Sequence, residues 1–142
     1  MAQKTQKISE VMTSNPVTMP ATASTLEAAR AMRDSNIGTV VVLDNGKVCG
    51  IVTDRDIVVR AVAHGRDPAT TKLTDICSHE LTTLAPTDTV EHAVQIMREK
   101  AIRRLPVVEN GKPVGIVSLG DLAMERDPDS ALGNISAAPA NR

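Results

Sequence analysis

Sliding the sequence against itself by 65 positions lays residues 8–57 on residues 73–122 without a gap, and 14 of those 50 positions are identical. A register held that long means two copies of one unit. The clearest echo is "GIVTDRD", Gly50 to Asp56, returning as "GIVSLGD", Gly115 to Asp121. With 142 residues, the chain can bury roughly 70% of its unfolded surface, as one ordinary domain or as two small interlocked units.

Each copy reads as the same string of elements. Ser24 and Glu27 have capping-box spacing, and Thr25, Ala28, Ala29 and Met32 then recur at helical period; Val90, Ala93, Val94 and Met97 repeat that face. The apolar runs "TVVVL" and "LPVVE" follow, each leading into an Asn-Gly pair that predicts a tight hairpin and a return strand, "KVCGIVT" or "KPVGIVS". Helical pattern resumes through "DRDIVVRAVAH" and "LGDLAMER". With "PVTM" and "LTTL" as short strands, each copy becomes a β-α-β-β-α unit, so the chain is expected to be of mixed α/β (α+β) class. Pro106 within a strand predicts an edge or a bulge there. The copies are expected at 8–64 and 73–126, joined by the polar, Pro68-containing linker 65–72 and followed by a flexible tail over 127–142.

Composition excludes several functions. Sixteen Lys plus Arg against 17 Asp plus Glu leave no global field for nucleic acid or anionic lipid, and the absence of Phe, Tyr and Trp removes the usual stacking platforms for single strands. No apolar run is long enough to span a bilayer or to follow the N-terminal lysines as a secretory signal, so a soluble, cytoplasmic protein is expected, with no membrane partner. Cys49 and Cys77 lack CxxC spacing, fit a reducing compartment as packing residues and are expected to form no disulfide. His64, His79 and His92 share no metal-ligand spacing. Neither a phosphate-binding Gly-rich loop nor a Ser, His and Asp constellation occurs, so no catalytic or metal site is expected.

The repeated motif has chemistry suited to a nucleotide. Thr53 and Asp56, like Ser118 and Asp121, fall where a strand runs into a helix. An ionised Asp can accept from both hydroxyls of a ribose diol, and a helix start offers N–H groups and positive dipole to a phosphate. Thr53 or Ser118 can donate to a phosphate or ribose oxygen. The same residues also read as plain helix caps, stabilising by about 1 kcal/mol with no ligand.

Two such motifs at matched positions of a tandem repeat resemble the CBS domain pair, the module named after cystathionine β-synthase, over roughly residues 8 to 125. The resemblance implies two repeats packed through their sheets with pseudo-twofold symmetry. It also implies clefts between them for adenosine-containing ligands, and regulation of a partner protein rather than catalysis. AMP, ADP and ATP are the ligands it suggests, with S-adenosylmethionine or NAD as further candidates and no obligatory cofactor. Such modules often pair as disc-shaped dimers, so it implies a homodimer and an effector protein that the sequence does not identify.

Residue by residue, the resemblance is closest at "IRRLPVV". Basic residues before a similar Leu-Pro-Val strand contact nucleotide phosphates in the γ subunits of AMP-activated protein kinase, which maps onto Arg103 and Arg104, ahead of Pro106. The first copy has Gly38 and Thr39 at those positions and Val41 for the proline, with Arg55 as a substitute source of charge. The base pocket of the family maps onto Val17 and Thr18 in one copy and Thr82 and Thr83 in the other. The two sites are therefore expected to differ in affinity or ligand. The rival reading is a ligand-independent interaction or dimerisation module whose Asp residues only cap helices.

Overall fold

A computed structural model describes residues 6–77 and 81–126. They form two compact units, each with a three-stranded sheet and helices, in keeping with the mixed α/β class. The first unit is Pro16–Leu81; the second combines the segment ending at Asn15 with the chain from Thr82 onward. The tail 127–142 lies outside the described residues.

In the first unit β2 (Thr18–Pro20) runs parallel to β3 (Thr39–Asp44), which pairs antiparallel with β4 (Lys47–Thr53). Asn45 and Gly46, at φ 52° and 80°, make the hairpin turn, because both central residues of such a turn need the left-handed region. Helix α2 (Thr25–Ser35) starts at Ser24, whose hydroxyl accepts from the Glu27 N–H at 3.1 Å, and buries Thr25, Ala28 and Met32 as its period predicts. The core joins these to Val40, Val42 and Val52. After β4 the chain makes the short helix α3 (Asp54–Asp56), then a π-helical stretch, Ile57–Val62, that buries Ile57 and Ala61.

The second unit repeats the plan: helix α5 (Val90–Lys100), strands β5 (Arg104–Glu109) and β6 (Lys112–Ser118), and helix α6 (Leu119–Arg126). Its sheet has the order β1-β6-β5, where β1 (Thr13–Ser14) lies antiparallel to β6. Gly115 permits that approach: a Cβ there would stand 2.9 Å from Met12 Cγ and 3.0 Å from the Thr13 carbonyl oxygen.

Each core is closed by the lead-in segment of the other repeat. Helix α4 (Leu73–Ile76) folds back onto the first unit, where the Leu73 and Thr74 N–H groups donate to the Ala23 and Ala21 carbonyls at 2.9 and 3.1 Å. Helix α1 (Ile8–Val11) makes the matching bonds in the second unit, from Ile8 and Ser9 to Asp88 and Pro86 at 2.8 and 3.0 Å. Ile8, Leu73 and Ile76 are wholly buried. Cys77, which the sequence places near the start of the second copy, therefore packs in the first core.

The connecting segment 65–72 is packed at its end, since Thr71 is buried and its carbonyl accepts from both the N–H and the hydroxyl of Thr25, at 2.8 and 2.9 Å. The strand expected at "LTTL" shrinks to a single bridge, Leu84 to Val107. In the first unit the Val41 N–H donates to the Val17 carbonyl at 2.9 Å, but Pro106 stands at the equivalent position and has no N–H to give Thr82. Pro106 does lie on β5, at the end of its sheet order. The bulge falls between Val107 and Val108, however, and recurs between Val42 and Leu43 where there is no proline. The fold makes that bulge, not the imino acid.

Leu73→Ala should lower stability by about 2–5 kcal/mol in urea denaturation, through lost burial plus the cavity left behind, although Leu73 lies outside the first copy as the sequence divides it.

Candidate functional site

The motif residues sit where the last strand of each sheet becomes a helix. In the first unit the Asp56 N–H donates to Thr53 Oγ1 at 3.1 Å, and the Thr53 N–H donates to Asp56 Oδ2 at 2.9 Å. In the second, Ser118 and Asp121 repeat both bonds at 3.1 and 2.9 Å. Each motif is a closed capping box, which satisfies two otherwise unpaired main-chain donors. One carboxylate oxygen, Oδ2, is used in each; Oδ1 lies outside the box.

The sheets gather several other candidates at the same strand ends. Thr39 pairs with Thr53 across the β3–β4 ladder, the Asp54 N–H donates to the Gly38 carbonyl at 3.0 Å, and Val17 and Thr18 flank Val41 on the parallel side. Arg55 is exposed on α3. In the second unit Arg104 pairs with Ser118, and the Leu119 N–H donates to the Arg103 carbonyl at 2.8 Å. Leu84, which follows Thr82 and Thr83 in the chain, bridges to Val107 of β5. Arg103 is exposed, Arg104 half-buried and Pro106 buried. Gly38, Thr39, Thr53 and Asp56 thus share one strand end, and the main chain of Arg103 and Arg104 meets Ser118 and Leu119 at the matching end of the other sheet, whereas Pro106 pairs with Ile116 farther along its strand.

Arg60 belongs with the first strand end and was not among those candidates. Its Nε lies 3.7 Å from Asp56 Oδ1, while Nη1 donates to the Ile76 and Cys77 carbonyls at 3.3 and 3.5 Å. A guanidinium at the end of α4 meets the negative end of that helix. One arginine thereby joins the motif carboxylate, 14% exposed, to the returning lead-in helix. The four-residue spacing from Asp56 was a usable signal; the carbonyls were not. The second copy carries Glu125 in that position.

The cysteine side chains have no part in this arrangement. Both thiols are free, and burial first, then nearby negative charge, pushes Cys49 and Cys77 above the ordinary thiol range. They persist as thiols at neutral pH, which suits packing and not nucleophilic attack. Among the described residues no group of three or more His, Cys, Asp or Glu side chains could hold a metal ion.

The model of the CBS domain matches residues 8–62 and again residues 73–127. The CBS domain-containing protein YhcV of Bacillus subtilis is 39% identical over 133 residues, spanning 91% of this chain and 94% of that protein. Among solved structures, the CBS domain pair of protein MJ0100, in complex with 5′-methylthioadenosine and S-adenosyl-L-methionine, superposes with a TM-score of 0.80 at 25% identity, covering 89% of this chain and all of that one. The hexameric CBS-CP12 protein from bloom-forming cyanobacteria gives a TM-score of 0.80 at 28% identity, covering 89% and 75%.

Removing either half of a capping box should be felt without any ligand. Thr53→Ala and Ser118→Ala are each expected to cost about 1 kcal/mol, and Asp56→Asn and Asp121→Asn less, since the amide oxygen still accepts. Urea denaturation of the four variants checks the ranking.

Proposed function

The chain belongs to the CBS domain family, and from that premise we propose that it is a regulatory sensor that binds an adenosine-containing ligand at its strand-end motifs and modulates a partner protein. The carrying observation is the paired capping box: each fixes an aspartate at a helix start while leaving Oδ1 outside the box. A ribose diol presents two adjacent donors to such an acceptor. AMP, ADP and ATP are the first candidates, with S-adenosylmethionine and NAD beside them. The MJ0100 pair, bound to two adenosyl compounds, supports the ligand class.

The proposed role is regulatory and not enzymatic; the Thr53 and Ser118 hydroxyls accept from main-chain N–H groups as helix caps, which supports reading them as structural and binding groups. Among the described residues no helix is long and apolar enough to cross a membrane; a cytoplasmic setting and a protein effector are part of the proposal. Nucleic acid is not expected as a partner.

A second reading, an interaction module independent of ligand, draws on exposed apolar side chains. Val58 and Val62 on the π-helical stretch are 58% and 61% exposed, and Leu119 is 41% exposed on α6. Exposed apolar side chains of this kind are candidates for contact sites, and a second copy of the chain, giving a homodimer, is the partner we propose. Both readings are compatible with that dimer.

Isothermal titration calorimetry of the stripped protein against AMP, ADP, ATP, S-adenosylmethionine and NAD, in one buffer and salt, separates them. Saturable heat with at least one compound is expected, and it should vanish in the Asp56→Asn, Asp121→Asn double variant. Silence from all five at two temperatures, which guards against a vanishing enthalpy at one of them, would leave the interaction module standing alone.

A further inference from the structure

Two features of the first unit have no counterpart among the described residues of the second: the wide helical turn over Ile57–Val62 and the bonds from Arg60 to the end of α4. From their coincidence we propose that Arg60 is a latch. The stretch that carries it has a second, α-helical form, and passing to that form releases the end of α4 from the first unit. The device needs no ligand and goes beyond the sensor reading.

The widening is written in the hydrogen-bond ladder. The Ala63 N–H donates to the Val58 carbonyl at 2.9 Å and the Arg66 N–H to the Ala61 carbonyl at 3.0 Å, each five residues back where an α-helix reaches four. Ile57, Val58, Val59 and Val62 are β-branched, which weakens the α form here. The aligned residues Leu122, Ala123, Met124, Glu125 and Arg126 are better helix formers, and α6 is α-helical through them. No insertion separates the two copies over this stretch, so this place in the fold accepts the narrower turn. The α form is therefore a near alternative for the first copy, set aside by small local preferences that one tertiary contact can tip.

Arg60 supplies that contact. Main-chain bonds from Leu73 and Thr74 to Ala23 and Ala21 hold the start of α4, whereas its last carbonyls, those of Ile76 and Cys77, take Arg60 Nη1 at 3.3 and 3.5 Å. Both bonds are at the long end of the range, which suits a hold that opens. Nε faces Asp56 Oδ1 at 3.7 Å, so the guanidinium is drawn from two sides. Narrowing the ladder turns the residues within it relative to Asp56, by up to about 100° at the far end, and takes Arg60 out of line with the α4 carbonyls. Release there frees α4 toward the point where the chain leaves the first unit, while the buried Leu73 keeps its start in place. Where the sensor reading also holds, a ligand hydroxyl donated to Asp56 Oδ1 displaces Nε and biases the same equilibrium, a consequence that rests on that reading.

The test is ligand-free and reads the full chain by NMR. Couplings across the Ala63 hydrogen bond name its carbonyl partner, and amide exchange at Cys77, whose N–H donates to the Leu73 carbonyl, reports on the end of α4. Two variants approach the latch from opposite sides. Arg60→Gln removes the hold; Val58→Ala with Val59→Ala, at positions 58% and 41% exposed, raises α propensity without touching the core. In both, Ala63 should change partner from Val58 to Val59, and exchange at Cys77 should quicken roughly tenfold. Thr89→Ala, which removes a helix cap in the second unit, should leave both readouts within about twofold of the native chain. Retention of Val58 as the partner in either variant overturns the proposal, even if exchange at Cys77 quickens, since Arg60 is then a plain tie with no second form behind it. A change of partner with Cys77 exchange unaltered overturns it too, as does an equal quickening in Thr89→Ala.

Discussion

The burial of Leu73 and Ile8 is the constraint on which the rest of the structure hangs. Neither residue belongs to the core that its own repeat would build, and both are wholly enclosed. Burying a side chain of that size is worth about 1.5–3 kcal/mol, and the main-chain bonds from Leu73 to Ala23 and from Ile8 to Asp88 fix where it happens. That docking brings β1 onto β6 in the second unit. In the first it brings the end of α4 within reach of Arg60. Arg60 in turn faces Asp56, so the far end of the motif is tied to a helix that the sequence assigns elsewhere.

Local chemistry explains what was legible. Ser24 and Thr89 start helices because a hydroxyl there satisfies an N–H three residues on, and the Asn-Gly pairs turn because both residues tolerate positive φ. The strand-to-helix motif was readable as a helix cap, while the reciprocal bonds that close it into a capping box came from the structure. Non-local events were not. Nothing within "ISEV" or "LTDI" tells which core its Ile or Leu will enter, since both segments carry the same spacing. The partnership of Arg60 with carbonyls sixteen and seventeen residues away is invisible for the same reason.

Divergence between the copies is concentrated where side chains leave the core. Several buried pairs keep size and type, Ala28 and Ala93, Met32 and Met97, Val42 and Val107, Val52 and Val117, although Thr25 is matched by Val90 and Val41 by Pro106. Even an awkward backbone is kept, since helix α5 ends on Ala101 in the left-handed region at φ 54°, the position filled in α2 by Asn36, which tolerates it better. Packing holds the two frames alike, while the exposed strand ends are free to take glycine and threonine in one unit and arginines in the other.

The closed capping boxes bear on how such a module could report occupancy. A carboxylate already locked to main chain before any ligand arrives is pre-organised, so little ordering entropy is lost when it accepts a sugar hydroxyl. A ligand shifts an equilibrium only by its differential affinity for the two states, and a contact with the same geometry in both contributes nothing to that difference. In the proposed sensor the motif aspartates would therefore serve as anchors. The information in a binding event has to come from groups whose arrangement changes, and Arg60, shared between an anchor and the end of a neighbouring helix, is placed to be one of them.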